Sequence, residues 1–540
     1  MSILAASLRG AKRFFVPAAV AMAVLSATSV FAVDAPQANV GRETLVGTSS
    51  PGLAKFMGIR YAQAPIGDLR WKPPAPAPAA SGTVDATKPG SGCPQGKSPW
   101  GVPSSNEDCL FLNVTVPADG SGMQFWQRKP VMVFFYGGGF TGGSGDLYNA
   151  DDLARENDVV VVTVNYRLGA LGFFAHPALD AEDHAVANYG LLDQQQSLRW
   201  VRDNIASFGG NPDNVTIFGE SAGAIAIYAH IVSPMAAGLF QKAIIESGAP
   251  ADQTLQTAED QGKTLAQKVG CPVDAGAEAA ACLRKVPVDA LVSAQATPIA
   301  TIIDGKLLIG PIADALGAGH YNRVPVINGT NHDEGNLIAG FMFDLSGSPL
   351  VAKDYEKALQ GIGSFIPRVG FADAAIPAIS KTYALSKYKA PGLAAAQVIT
   401  DGVIACPAFE INKVMAKYSP TFEYEMADTD ARSIVAPPIS FSYRAGHFSE
   451  LQYLFDLTSI TLKGTPDMTD AQKALGRQMR AYWANFARAG NPDGTGLPVW
   501  PRFDDGKAGP VQSLNKPTSR SINNFATEHQ CAFWRTVERK

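Results

Sequence analysis

Val215-Thr216-Ile217-Phe218 reads as a short strand that runs straight into Gly219-Glu220-Ser221-Ala222-Gly223 and then into small residues with helical character. A turn that sharp between strand and helix holds a serine hydroxyl where a reacting carbonyl can reach it. Glycine on either side avoids crowding the turn. The three-position pattern alone is weak, because a chain with 52 glycines matches it by chance on the order of a few tenths of a time. A serine hydroxyl is barely ionised at neutral pH, so use of Ser221 as a nucleophile requires a general base, and the base requires an orienting acid. In a strand–elbow–helix setting these follow in the order Ser, acid, His. Of the seven histidines, only His447 and His529 lie far downstream of a plausible acid. His529, near the chain end and two residues from Cys531, reads as a surface histidine. His447, in the loop Arg444-Ala445-Gly446-His447-Phe448, is the expected base. The acid is expected in Asn331-His332-Asp333-Glu334-Gly335, where the residues alone leave Asp333 and Glu334 equally open, and His332 reads as a loop residue without a catalytic role. Tyr136-Gly137-Gly138-Gly139-Phe140 ends an apolar run, and its glycines let backbone N–H groups approach a developing oxyanion.

These residues need a scaffold that presents loop tips from several strands at one edge. Apolar runs at 131–135, 159–164, 215–218, 243–245 and 324–327 read as short buried strands. Helical stretches separate them, among them 191–206, where Leu192, Leu198, Trp200, Val201 and Ile205 share a face. That alternation predicts an α/β fold with a large, mostly parallel central sheet covered by helices on both faces. The C-terminal third reads as more helical, notably 471–488. The Pro-rich stretch 73–78 reads as an exposed loop.

With 540 residues, 46% hydrophobic and 17% charged, the chain has the balance of a globular protein with a large core. A net charge of −4 with no basic stripe argues against nucleic acid as a partner. Residues 1–32 read as a signal peptide: Arg9, Lys12 and Arg13, an apolar stretch 14–25, then Val30-Phe31-Ala32 before a mature chain that starts near Val33. No later apolar run reads as long enough to span a membrane. The expectation is an exported protein, periplasmic or secreted, with residues 33–540 forming one domain. In an oxidising compartment six cysteines suggest three disulfides, and spacing favours Cys93 with Cys109, Cys271 with Cys282, and Cys406 with Cys531. None lies in a metal-ligand pattern, so neither metal nor cofactor is expected.

Several segments together resemble the type-B carboxylesterase/cholinesterase family of α/β-hydrolases. They are Phe56 to Ala62 (with Arg60 where proline is usual), Glu107 to Asn113, Asn165-Tyr166-Arg167, Gly190 to Gln194, Phe218 to Gly223 and Cys531 to Trp534. The resemblance covers nearly all of residues 33–540. It implies hydrolysis of a small-molecule ester with Ser221 as nucleophile, His447 as base and Glu334 as acid. Gly138, Gly139 and Ala222 would form the oxyanion hole, and Glu220 and Ser247 would stand beside the triad. It also implies a structural ion pair between Arg167 and Asp193, and the same three disulfides. Trp100 falls near the family's choline-stacking tryptophan, but the short loop here makes a structural, rim-exposed role the expectation. Members of the fold that act as adhesion proteins lack a working triad, whereas all three residues are present here. Length, leader and pattern together are also similar to those of bacterial esterases that release tricarballylic acid from fumonisin B1. An ester with a polycarboxylic acyl group is therefore one expected substrate, beside the simple esters of a general carboxylesterase and choline esters.

Overall fold

The computed structural model describes residues 35–118, 128–182, 187–274, 276–295, 299–364, 370–503 and 509–539. The leader expected over residues 1–32 lies outside them. Residues from Pro36 onward form one compact unit.

The scaffold is an eleven-stranded sheet. Its strands in chain order are β1 (Thr48–Ser50), β2 (Leu53–Arg60), β3 (Phe111–Pro117), β4 (Lys129–Phe135), β5 (Val160–Val164), β6 (Gly210–Glu220), β7 (Lys242–Glu246), β8 (Val326–Asn331), β9 (Thr421–Met426), β10 (Val511–Leu514) and β11 (Arg520–Ile522). Their order across the sheet is β11-β10-β9-β8-β7-β6-β4-β5-β3-β2-β1. The run from β10 to β5 is parallel throughout, and antiparallel pairings join β11 and the β3-β2-β1 ribbon at the two edges. The sheet is therefore mixed with a parallel centre. The valine-rich strands sit there because both of their faces are covered: every residue of β5, β7, β8 and β9 is buried. Under the centre, Phe134 packs against Phe218 and Phe455 at ring distances of 4.9 and 4.7 Å.

The expected strand at 215–218 is the end of a longer element, because β6 begins at Gly210. The helix expected at 191–206 runs as α1 (Tyr189–Asn204), and α2 (Ala222–Val232) follows β6 directly. The C-terminal helix α3 (Asp470–Ala489) starts with a capping box, Thr469 with Gln472, and stops at Gly490 in the left-handed region. One expectation is corrected. The helical run Pro391–Met415 is long and apolar enough to cross a membrane, yet 83% of its most apolar window is buried inside the protein. Its small residues, Ala394, Ala395 and Ala396, pack in the core, so it is a core helix.

Covalent and ionic ties fix the loops around the sheet. The cysteines join as Cys93–Cys109, Cys271–Cys282 and Cys406–Cys531, the last closing a loop of 125 residues. Arg60, which stands where the resembling family has proline, grips Asp108 through two hydrogen bonds of 2.6 and 2.8 Å. Arg167 and Asp193 form a fully buried pair. The guanidinium Nε and Nη2 donate to the carboxylate at 2.8 and 2.7 Å, and the Arg167 backbone N–H adds a third bond at 3.0 Å. Removing one member of such a pair strands the other charge away from water. We expect Asp193→Ala to lower the unfolding free energy by about 3–5 kcal/mol in denaturant titration; a loss below about 1 kcal/mol would mean that Arg167 finds solvent without it.

Candidate active site

Ser221 occupies the corner between β6 and α2 at φ 57° and ψ −119°, a left-handed-side conformation in which a non-glycine residue is strained. The neighbouring strand explains the flanking glycines. A Cβ on Gly219 would stand 2.6 Å from the carbonyl oxygen of Phe135, and one on Gly223 only 1.9 Å from it. The elbow therefore presses directly on the end of β4, and no side chain fits at either position. The Ser221 N–H donates to the Glu246 carbonyl at 2.9 Å, which anchors the corner to β7. The side chain of Ser221 remains partly exposed.

The loop that continues β4 lies against this corner. A Cβ on Gly137 would come within 2.9 Å of the Ser221 Cβ. Gly138 and Gly139 both have positive φ, 99° and 63°, and the Gly142 carbonyl approaches Gly138 so closely that a side chain is excluded. Among the described residues no acceptor takes the N–H of Gly138, Gly139 or Ala222. Those three donors remain available to an anion beside the serine, Ala222 from the first turn of α2.

The structure brings His447 and Glu334 together across 113 residues of sequence. His447 Nδ1 and Glu334 Oε2 are 2.6 Å apart, and the His447 backbone N–H donates to the Glu334 carbonyl at 3.2 Å. The other carboxylate oxygen of Glu334 accepts from the Asn331 N–H at 2.8 Å. Asp333, the residue left open beside it, points elsewhere, to Arg444 at 2.8 Å. His447 Nε2 faces the elbow and lies 3.2 Å from Glu220 Oε1. Among the described residues Ser221 Oγ makes no hydrogen bond; catalytic contacts of this kind tighten when substrate binds. Burial works against an imidazolium at His447, but the attraction of Glu220 and then Glu334 outweighs it and raises the pKa above the ordinary histidine value. Glu220 is itself buried, and desolvation raises its carboxyl well above the usual range. Glu220 and His447 therefore compete for one proton.

A second layer holds this arrangement. Ser247, also at positive φ, donates to Glu450 Oε1 at 2.5 Å, and Asn331 donates to the other oxygen of Glu450 and to the Gly446 carbonyl. Burial first, and the Glu334 charge second, push the Glu450 carboxyl up to about 7. Trp483 donates to Glu246 at 2.5 Å. Sequence reasoning missed Glu450, Asn331 and Glu246. Glu450 had a usable signal, three residues beyond His447 in a segment that turns helical at Leu451. One histidine reading is corrected. His529 is fully buried and paired with Asp401 at 2.7 Å and Glu425 at 2.9 Å, because the C-terminal segment packs inward beside the Cys406–Cys531 bond. His332, in the loop after β8, lies 3.1 Å from both Asp333 and Glu528. Trp100 is not a rim residue either. It is half-buried, its ring stands 5.1 Å from Phe341 and 6.0 Å from Phe448, and a Cβ on Gly138 would touch it. Trp100 thus stands between the glycine loop and these two rings.

A protein-family model described as the carboxylesterase family matches residues 33–534. The chain is 34% identical over 477 residues to the pyrethroid hydrolase Ces2e of Rattus norvegicus, covering 84% of this chain and 81% of that one. It is 34% identical over 475 residues to the cocaine esterase of Oryctolagus cuniculus, covering 84% and 86%. Among solved structures it is similar to a thermophilic PNB esterase, with a TM-score of 0.76 and 30% identity over 92% of this chain and 99% of that one.

The Glu220–His447 contact generates a test with a definite sign. A base must be unprotonated to act, so activity rises with pH through its pKa, and a raised pKa moves that rise upward. Replacing Glu220 with glutamine removes the first attraction that holds the imidazolium. The acid limb of kcat/KM is expected to move to lower pH by about one unit or more. An unmoved limb would show that Glu220 is already neutral and exerts no pull.

Proposed function

The chain belongs to the carboxylesterase family of α/β-hydrolases and hydrolyses carboxylic esters; on that premise we propose that the chemistry runs through an acyl-enzyme on Ser221. His447 Nε2 accepts the Ser221 proton as Oγ bonds to the ester carbonyl carbon. The carbonyl oxygen becomes an anion that the N–H groups of Gly138, Gly139 and Ala222 receive. The imidazolium, held through Nδ1 by Glu334, then passes its proton to the departing alkoxide, and the C–O bond breaks to leave Ser221 acylated. Water repeats the sequence: His447 takes its proton, hydroxide adds to the acyl carbon, and Ser221 recovers its proton as the acid leaves. The observation that carries this reading is the 2.6 Å contact of His447 with Glu334, with the opposite ring nitrogen turned toward the Ser221 corner.

The acyl group admits a finer reading: an ester whose acid carries further carboxylates, as in the tricarballylic side chains of fumonisin B1. Its support is two cations near the base: Arg432 and Arg444 line a small surface depression together with His447, Leu337, Tyr443 and Phe448. Arg432 spends Nε on Gln452 and Nη1 on the Pro466 carbonyl, and Arg444 spends Nε on Asp333. The remaining guanidinium nitrogens suit carboxylates, which guanidinium binds through paired hydrogen bonds. The Trp100, Phe341 and Phe448 rings favour a second reading, a general carboxylesterase for bulky apolar esters, and the relatives' names, pyrethroid hydrolase and cocaine esterase, accord with it. Three disulfides fit an oxidising compartment, which supports an exported enzyme, periplasmic or secreted.

Ser221→Ala is expected to lower turnover of a simple ester by roughly 10⁶ while circular dichroism and melting stay unchanged; near-normal hydrolysis by the purified variant would reject the nucleophile. Side-by-side kinetics decide the acyl group. The polycarboxylate reading expects kcat/KM for fumonisin B1 to exceed that for a butyrate ester, and to fall when Arg432 is replaced by glutamine. Equal or lower values would leave the general carboxylesterase.

A further inference from the structure

Asp333 sits next to the catalytic acid but takes no part in the proton path. Its side chain is nearly buried, and its partners are the neighbouring His332 and the distant pair Arg444 and Ala445. Oδ1 accepts from Arg444 Nε at 2.8 Å, and Oδ2 accepts from the Ala445 N–H at 3.3 Å. The Asp333 N–H returns a bond to the Ala445 carbonyl at 2.9 Å. Oδ2 also lies 3.1 Å from His332 Nδ1, whose Nε2 reaches Glu528 at 3.1 Å. Glu528 belongs to the C-terminal segment that the Cys406–Cys531 bond and the two ion pairs of His529 fix to the core.

We propose that Glu528, His332, Asp333 and Arg444 form a charge-alternating brace in which Asp333 is a positioning residue, locking the loop of Glu334 to the loop of His447 and tying both to the C-terminal segment. The inference rests on the triad reading above and deepens it. Its members alternate in sign, carboxylate, imidazolium, carboxylate, guanidinium, so each contact is attractive. The environment keeps them charged: the pairing with His332 and Arg444 holds Asp333 below the usual carboxylate range despite burial, and Asp333 and Glu528 push His332 up to about 11. The brace also explains a strained residue. Arg444 has φ 52°, unusual for a long side chain, and its bond to Asp333 holds the turn that delivers His447 three residues later. Neutral contacts between the two loops remain without it, Asn331 to Gly446 and His447 N–H to Glu334. Loss of the charges should therefore loosen the His447–Ser221 geometry without unfolding the site. Geometry of that kind acts on turnover, since small displacements of a reacting group cost up to about a hundredfold.

The test compares Asp333→Asn and Glu528→Gln with Glu410→Gln, which removes a different ion pair to the C-terminal segment, that with Arg535. Each purified variant is titrated with an organophosphate to count reactive serines, and steady-state rates on a small neutral ester are expressed per reactive site. The brace predicts a per-site kcat roughly tenfold or more lower in Asp333→Asn with KM within about twofold, a smaller fall in the same direction in Glu528→Gln, and no change in Glu410→Gln. Asp333→Glu, which keeps a carboxylate at the position on a longer side chain, should lose less than Asp333→Asn. Per-site kcat equal to that of the parent enzyme in Asp333→Asn, with only the count of reactive sites reduced, would overturn the proposal. So would a Glu528→Gln variant indistinguishable from Glu410→Gln. Failure of the parent enzyme to be titrated would instead remove the triad reading on which the proposal stands.

Discussion

One imidazole surrounded by buried carboxylates is the constraint around which the rest of this molecule is arranged. His447 is enclosed with Glu334, Glu220 and Glu450, and in such surroundings charge is costly unless every partner is placed. Glu334 Oε2 holds one nitrogen at 2.6 Å, and Glu220 Oε1 faces the other at 3.2 Å. Behind them, Ser247 and Asn331 bond the two oxygens of Glu450, and Trp483 bonds one oxygen of Glu246. The same enclosure that makes unpaired charge expensive strengthens each correctly aimed dipole, which is the condition for stabilising an oxyanion.

The parallel sheet exists in this account to meet that constraint. Ser221, Glu334 and His447 each follow a strand of its parallel centre, β6, β8 and β9, so their loops open at one edge. The glycines of the elbow are dictated by β4, whose Phe135 carbonyl leaves no room for a side chain on Gly219 or Gly223. The oxyanion loop leaves from the end of that same strand. Position of nucleophile, donors and base is thus set by strands that are hydrogen-bonded neighbours or nearly so.

What could be read from the residues follows from how local each signal is. The elbow, the glycine loop and the strand runs are contiguous, so β4 to β8 and the place of Ser221 were visible at the level of a few adjacent residues. The acid required more than local pattern. Asp333 and Glu334 are neighbours in one loop, and only their opposite directions, one toward Arg444 and the other toward His447, tell them apart in space. His529 was misread because burial near a chain end depends on packing against Asp401 and Glu425, residues about a hundred positions away. Trp100 was misread for the same reason, since its neighbours Phe341 and Phe448 come from distant loops. Edge strands β1 and β11 had no distinct signature, because three-residue strands carry too little alternation to be seen.

The central claim is that an acyl group passes through Ser221. It is tested most directly by rapid acid quench of the enzyme during turnover of a slowly deacylating ester, followed by peptide mass spectrometry. An acyl-enzyme on Ser221 gives a mass increase equal to the acyl group on the peptide containing Ser221, with no increase elsewhere, and its disappearance in His447→Gln. Acylation of a different residue, or steady turnover with no covalent species under conditions that make deacylation slow, would contradict it.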